Sequence, residues 1–242
     1  MLPCLETGEL CVIIGKTSGR ERQGKGMRKV SVIAGTPVDT QMGVDYIKSK
    51  GYEAIGFACS KSAPEQNEMQ ILHKEELLQI AINGCLDMVK QGATGIYVYC
   101  NSLSGAIDMD RLKASVPVFV ITPLDIYKMC AKEYKRLSVI AANGQSLAAI
   151  EKTILNENPE CTVFGAGLLP LVVEIEAETP SQQIYDRFQL KKLTDSFVAI
   201  GCDAFILGCT HFPYVEKEIV DGIAVEVINP ADKMLEILKE NQ

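Results

Sequence analysis

The sequence contains an internal repeat, and this repeat limits the folds that the chain can adopt. The tetrapeptide Ser-Val-Ile-Ala at residues 31–34 recurs unchanged at residues 138–141, an offset of 107 (138 − 31). At the same offset, residues 116–123 (Val-Pro-Val-Phe-Val-Ile-Thr-Pro) are echoed by residues 223–230 (Ile-Ala-Val-Glu-Val-Ile-Asn-Pro). Matching segments in one order and at one spacing indicate an internal duplication. The chain is therefore expected to fold as two similar halves.

Two cysteines occupy a third pair of matching positions. Cys100 and Cys209 lie 109 residues apart (209 − 100), each follows a short apolar run, and Gly92 and Gly201 match at the same offset. Small or hydrogen-bonding residues follow both thiols: Asn101 and Ser102 in the first half, Thr210 and His211 in the second. A lone cysteine at a strand end more often packs in a core than takes part in catalysis. A matched pair in a chain with two histidines instead indicates acid–base chemistry by two thiols.

Short β-rich runs alternate with helical patterns along both halves. The predicted strands are residues 30–34, 53–58, 95–99, 116–121, 137–141, 162–165, 204–207 and 225–228. A helix is predicted at residues 44–51, and one long helix is predicted from Pro64 to Gly92 with His73 midway along it. Such alternation is typical of parallel α/β folds. We predict two pseudo-symmetric lobes with parallel sheets flanked by helices, and an active site in the cleft between the lobes.

The repeat also sets the predicted domain boundaries. Lobe 1 is expected to comprise residues 27–123 together with residues 231–242, and lobe 2 to comprise residues 124–230. Each lobe then carries one of the two matched cysteines. Residues 1–26 include a polar, basic, glycine-rich stretch and are expected to form a loosely ordered extension.

Charge and cysteine content narrow the range of partners. The formal net charge of −7 disfavours nucleic acid or an anionic membrane, because both attract basic surfaces. No apolar run approaches the roughly 18 residues that a membrane-spanning helix needs. Nine cysteines without a Cys-x-x-Cys pair or a secretory signal indicate reduced thiols in the cytoplasm. The negative net charge leaves a small molecule as the expected ligand. Because His73 and His211 are the only histidines, we expect no metal site.

Several motifs resemble one known family. Residues 100–102 (Cys-Asn-Ser) resemble the Cys-Asn-Thr segment of the cofactor-independent aspartate/glutamate racemase superfamily. Residues 207–213 (Leu-Gly-Cys-Thr-His-Phe-Pro) match that superfamily's second cysteine segment, and the histidine makes the match closest to glutamate racemases. Residues 140–144 are similar to the family's Ala-Thr-x-Gly-Thr turn, which makes Asn143 a candidate binding residue. The resemblance extends from about residue 28 to the end of the chain.

The sequence departs from the family pattern at three places. Four residues intervene before Asp39 and Thr40, which are the best counterparts of the family's opening Asp-Ser. The family's Val-Pro-Tyr-Gly loop is replaced by residues 59–65, where Ser60 is the candidate substrate contact. The glutamate of the family's Pro-Leu-Val-Glu segment is displaced by one position at Glu174, which we therefore do not assign to the site.

The resemblance implies a racemase that needs no pyridoxal phosphate and interconverts the L and D forms of glutamate or aspartate. The implied acid–base groups are Cys100 and Cys209, with Asp39 auxiliary to the first and His211 to the second. The implied substrate-binding residues are Thr40, Ser60, Asn101, Ser102, Asn143 and Thr210. No cofactor is expected, and the resemblance implies a homodimer. From position alone, Asp39 could equally be a helix N-cap, and His211 a loop histidine that caps a helix.

Two alternatives stay open at the level of sequence. The first keeps the fold and changes the reaction to that of a hydantoin racemase, a decarboxylase or a cis-trans isomerase of the same superfamily. Decarboxylases of this kind keep one catalytic cysteine, so the presence of both Cys100 and Cys209 favours proton exchange on two faces. The second alternative is a non-catalytic module that binds an amino acid and needs neither thiol.

Overall fold

The computed structural model describes residues 13–14 and 29–241. By their contacts these residues form two units, the first with 13–14, 29–99, 106–120 and 241, and the second with 100–105 and 121–240. The predicted lobe boundaries differ from this grouping, since they placed residues 100–105, 121–123 and 231–240 in lobe 1. Apart from residues 13–14, the predicted extension at residues 1–26 lies outside the described residues.

The first unit is built on a five-stranded sheet. Its strands are β1 (Ile13–Ile14), β2 (Lys29–Ala34), β3 (Glu53–Ala58), β4 (Gly95–Val98) and β5 (Phe119–Ile121), in the order β1-β3-β2-β4-β5 across the sheet. β2 runs parallel to β3 and β4, and β1 is antiparallel to β3. Its helices are α1 (Pro37–Ser49), α2 (Ala63–Leu72), α3 (Lys74–Lys90) and, after α4 (Asn101–Ala106), α5 (Met109–Ser115). By its contacts α4 belongs to the second unit, except for its last residue.

The second unit is built on a four-stranded parallel sheet. Its strands are β6 (Arg136–Ala141), β7 (Thr162–Gly167), β8 (Ala204–Gly208) and β9 (Glu226–Ile228), in the order β7-β6-β8-β9. Its helices are α6 (Pro123–Glu133), α7 (Gly144–Glu157), α8 (Leu169–Glu176), α9 (Ser181–Arg187), α10 (Leu190–Ala199), a 3₁₀ turn (Phe212–Val215), α11 (Glu216–Gly222) and α12 (Pro230–Glu240). Among the described helices, none is both long and apolar enough to cross a bilayer.

The two sheets confirm the duplication. With β1 left aside, the order β3-β2-β4-β5 in the first sheet matches β7-β6-β8-β9 in the second. The register agrees as well, because Ser31 lies opposite Ile96 and its counterpart Ser138 lies opposite Phe205. In β2 and β6 alike, every residue after the first is buried, as expected of parallel strands covered on both faces. The predicted α/β fold with two helix-flanked parallel sheets is therefore confirmed.

The matched glycines of the repeat make equivalent turns. Gly92 has a φ of +91° and Gly201 a φ of +85°, a left-handed conformation that favours glycine. Each N–H donates to a carbonyl of the preceding helix, from Gly92 to Val89 and from Gly201 to Val198, both at 2.9 Å. The two glycines therefore end the helices that lead into β4 and β8.

The long helix predicted from Pro64 to Gly92 is wrong, because two helices occupy this region. α2 and α3 meet at His73, whose φ of −130° and ψ of 40° leave the helical range. The backbone N–H of His73 donates to Met69, and its carbonyl accepts from Leu77, so one residue ends α2 and begins α3. Apolar spacing is helical on both sides of this junction, which is why the pattern alone did not reveal the break.

A close contact between α3 and β3 predicts the effect of one glycine substitution. A Cβ added to Gly84 would lie 2.3 Å from a ring carbon of buried Phe57. Alanine normally favours a helix over glycine by about 1 kcal/mol, but here the overlap forces the ring to move. We expect Gly84→Ala to lower the free energy of unfolding by about 1–3 kcal/mol, measured by urea denaturation.

Gly144→Ala is the matched control for this prediction. Gly144 is also helical, and no atom lies within 4 Å of a Cβ added there. The free energy of unfolding of Gly144→Ala is expected to equal that of the parent protein or to be higher. Equal losses in the two variants would contradict the role assigned to the contact between Gly84 and Phe57.

Candidate active site

The thiol of Cys100 lies between β4 and α4, in the second unit. It is buried, with 3% of the residue exposed. Its Sγ accepts a hydrogen bond from the backbone N–H of Leu103 at 3.4 Å and lies 3.4 Å from Oγ of Ser102. Donors directed at sulfur favour the thiolate over the thiol. The acid–base role of Cys100 stays a prediction, and these contacts are of the kind that such a role requires.

Tyr127 of α6 contacts the residue that follows this thiol. Its side chain is completely buried, and its hydroxyl donates a hydrogen bond to Oδ1 of Asn101. Burial, followed by negative charge at Cys209 and Cys130, raises the pKa of Tyr127 well above its usual value. The phenol therefore stays protonated at neutral pH, and it lies close enough to Cys209 to sense its charge. The sequence analysis missed Tyr127.

Cys209 directly follows β8 and belongs to a chain of three side chains. Its Sγ lies 3.6 Å from Nδ1 of His211, and Nε2 of the same ring lies 3.1 Å from Oε1 of Glu176. His211 is buried, whereas the Glu176 side chain is 49% exposed. A carboxylate accepts only, so Nε2 carries a proton, and in the neutral ring Nδ1 then presents its lone pair to the thiol. This geometry lets His211 take the proton of Cys209 and return it.

Glu176 is a second residue that the sequence analysis missed. It is the last residue of α8, two positions beyond the Glu174 that we left unassigned. Glu174 points elsewhere, since its carboxylate pairs with Arg187 at 2.6 Å and accepts from Thr179 at 2.9 Å. No local pattern in the sequence distinguishes the two glutamates, because the partner of Glu176 lies 35 positions later in the chain.

The other described cysteines suit packing rather than acid–base chemistry. The described cysteines are all buried: Cys59, Cys85, Cys100, Cys130, Cys161, Cys202 and Cys209. Burial raises the pKa of Cys85 to about 12 and that of Cys130 to about 12. Such thiols stay protonated at neutral pH, and a thiol that cannot ionise is a poor base.

Three of the predicted site residues lie in the first unit, after β2 and β3. Asp39 is buried at the third position of α1, and its backbone N–H donates to Oγ1 of Thr36 at 3.2 Å. Thr36 is therefore the N-cap, rather than Asp39. The hydroxyl of Thr40 donates to the Thr36 carbonyl at 2.7 Å, and that of Ser60 donates to the Gly35 carbonyl at 2.7 Å. Both hydroxyls stabilise the backbone here, and their contact with substrate stays a prediction.

The remaining predicted residues lie in the second unit, after β6 and β8. Asn143 is the N-cap of α7, and its Oδ1 accepts from the backbone N–H of Ser146 at 2.8 Å. Thr210 is half-buried between Cys209 and His211. The second unit thus contains both matched cysteines, the residues that follow them and Asn143. Within the described part of the chain, no cluster of three or more histidine, cysteine or acidic side chains could hold a metal ion.

Comparison with known proteins identifies the family. The model of the Asp/Glu/hydantoin racemase family matches residues 54–237, so the chain belongs to that family. A glutamate racemase of Limosilactobacillus reuteri is 28% identical over 177 residues, which cover 69% of this chain and 64% of the relative. A glutamate racemase of Desulforudis audaxviator is 30% identical over 165 residues, or 65% of this chain and 59% of the relative. The chain thus spans about three fifths of the length of these curated relatives.

Solved structures show the same fold at lower identity. Glutamate racemase from Francisella tularensis, in complex with D-glutamate, superposes with a TM-score of 0.62 at 21% identity over 88% of this chain and 82% of that one. Aspartate racemase from Picrophilus torridus superposes with a TM-score of 0.64 at 13% identity over 88% of this chain and 93% of that one. These likenesses establish the fold, and the chemistry depends on the residues described above.

Proposed function

We propose that this protein is a racemase that needs no cofactor and interconverts the L and D forms of glutamate or aspartate. The observation that carries the proposal is the chain from Cys209 through His211 to Glu176, together with a second thiol, Cys100, after the equivalent strand. Membership of the racemase family and the names of its glutamate and aspartate racemase relatives support the same reaction. The nine cysteines of the sequence, which include no Cys-x-x-Cys pair, fit a cytoplasmic enzyme.

In the proposed reaction one cysteine starts as a thiolate and the other as a thiol. The thiolate takes the α-proton, and the electron pair of the broken C–H bond stays on the α-carbon and delocalises into the carboxylate. The thiol then donates its proton to the opposite face, which forms a new C–H bond and inverts the centre. The two sulfurs have exchanged protonation states, and proton exchange with water restores the starting state. A single base would tend to return the proton to the face from which it came.

The neighbours of the thiols supply the other interactions that this reaction needs. His211 takes the proton from Cys209 when that residue must act as the base, and Glu176 stabilises the resulting imidazolium. The amide of Asn101 and the hydroxyls of Ser102 and Thr210 are proposed to bind the α-carboxylate as negative charge develops during proton removal. Asp39, Thr40, Ser60 and Asn143 are proposed as further substrate or acid–base contacts from the resemblance, which also implies a homodimer.

Proton exchange in deuterated water tests this proposal directly. The protein would be incubated without pyridoxal phosphate, separately with single enantiomers of glutamate, aspartate, alanine and a 5-substituted hydantoin. The α-proton signal is followed by NMR, and the enantiomers are separated by chiral chromatography. We expect loss of the α-proton signal together with inversion for one acidic amino acid, and no change for alanine.

Two other results would redirect the proposal. Turnover of the hydantoin alone would show that the substrate is a hydantoin rather than an amino acid. The proposed two-thiol reaction would then still apply. Saturable binding of an amino acid without any deuterium uptake would instead identify a binding module. In that case alanine at Cys100 or Cys209 would leave the affinity unchanged.

A further inference from the structure

Tyr127 is a buried polar side chain to which the reaction above gives no part. It lies in the first half of α6, which begins at Pro123 with a capping box formed by Thr122 and Asp125. A buried tyrosine normally finds a partner for its hydroxyl. Here the partner is the side chain of Asn101, which directly follows Cys100. The hydrogen bond therefore joins α6 to the segment that carries one of the two thiols.

This hydrogen bond selects one orientation of the Asn101 carboxamide. The amide has an acceptor end, Oδ1, and a donor end, Nδ2, and the phenol occupies the acceptor end. A flipped amide would turn its NH₂ group toward the phenol and deprive the buried phenol hydrogen of this acceptor. Buried donors without acceptors are strongly disfavoured, so the phenol holds the amide in place. The end left for a ligand is the NH₂ group, which suits an anionic acceptor such as a carboxylate.

Tyr127 also keeps this role while the protonation state of Cys209 changes. Negative charge at Cys209 raises the pKa of Tyr127, in addition to the larger effect of burial. The phenol therefore remains a neutral donor whether Cys209 is a thiol or a thiolate. The orientation of Asn101 then stays the same in both halves of a two-thiol cycle.

We propose that Tyr127 is a positioning residue that holds the Asn101 carboxamide with its NH₂ group toward the α-carboxylate of the substrate. This inference rests on the proposed function, because it assigns Asn101 to carboxylate binding. Tyr127 itself takes and gives no proton in the reaction.

The first test needs no substrate. The side-chain NH₂ signals of Asn101 are assigned in ¹⁵N-labelled protein by their absence from Asn101→Ala, and their order parameter is measured by relaxation. We expect a rigid value of about 0.85 in the parent protein and a value below about 0.6 in Tyr127→Phe. An order parameter that is the same in both proteins would overturn the proposal.

The second test separates positioning from a merely structural role. In Tyr127→Phe we expect the KM for glutamate to rise about tenfold, kcat to change less than about threefold, and the pH profile of kcat/KM to keep its shape. If Tyr127 acts through Asn101, the double variant with Asn101→Ala should have the KM of Asn101→Ala alone. An additional rise in the double variant, or a shifted pH profile, would contradict positioning through Asn101.

Tyr134→Phe is the matched control. Tyr134 follows the end of α6, and its hydroxyl donates to the Glu226 carboxylate at 2.7 Å, so this variant also loses one tyrosine hydrogen bond. Its KM is expected to equal that of the parent protein. If the parent protein inverts neither glutamate nor aspartate, the proposed function fails. The relaxation measurement on Asn101 still decides whether Tyr127 positions that side chain.

Discussion

Alanine at Cys209 is expected to lower the rate of glutamate or aspartate racemisation by at least about a hundredfold, and alanine at Cys100 is expected to do the same. A positioned acid or base contributes about 10²–10⁴ to a rate, and either direction of inversion needs both thiols. The rate is measured by circular dichroism or by chiral chromatography, starting from each enantiomer. Large losses in both single variants are the result expected of a reaction that needs both thiols.

Deuterium uptake in the same variants provides an independent check. The remaining thiol can still remove the α-proton from the enantiomer that faces it, and can exchange that proton with solvent without inversion. Each variant is therefore expected to deuterate at most one enantiomer, and the two variants to act on opposite ones. Cys85→Ala is the control, because Cys85 is equally buried and its pKa of about 12 prevents it from acting as a base. Retention of more than about a tenth of the parent rate in Cys100→Ala or Cys209→Ala would contradict the mechanism.

Asparagine at His211 is expected to lower kcat/KM about a hundredfold. The ring nitrogen that faces Cys209 at 3.6 Å is lost, and this nitrogen is the base proposed to accept the proton of the thiol. Because the two enantiomers have equal free energy, kcat/KM must fall equally in both directions. Initial rates from D- and L-substrate check both the size of the loss and this equality. A loss confined to one direction would point to a side reaction instead.

Glu176→Gln is a milder substitution whose loss of kcat/KM is compared with that of His211→Asn. Its amide oxygen can still accept from Nε2 of His211, so the ring orientation is kept while the negative charge is lost. We expect a loss of about tenfold, smaller than in His211→Asn, since the partly exposed carboxylate is screened by water. A larger loss in Glu176→Gln than in His211→Asn would show that the carboxylate acts on the substrate rather than through the histidine.

The fold was largely predictable because each repeated segment identifies an equivalent strand in both halves of the chain. Ser31 and Ser138 identified the central strands β2 and β6, and the apolar runs before Cys100 and Cys209 identified β4 and β8. Apolar runs that end in polar residues indicate strands whose carboxyl ends face a loop, and the structure confirms these strands at the predicted places. The break at His73 escaped notice because the helical period continues on both sides of it.

The candidate site was less predictable because its partners are distant in sequence. Cys100, Cys209 and His211 were found from their local context, whereas Glu176 and Tyr127 were not. Each of these two side chains contacts a residue that is distant in the sequence, Glu176 contacting His211 and Tyr127 contacting Asn101. Local reasoning also allowed Asp39 to be an N-cap, and the cap is Thr36 three residues earlier.

The amino-acid order by itself thus determined the duplication, the positions of most strands and the equivalent placement of two thiols, because these depend on periodicity and local composition. Only the tertiary structure decided which glutamate meets His211 and which hydroxyl donates to Asn101. Hydrogen bonds between distant residues depend on the packing of whole helices, and no local pattern encodes them. Among the described cysteines, the structure shows neighbours suited to proton transfer at Cys100, beside Ser102 and Leu103, and at Cys209, beside His211.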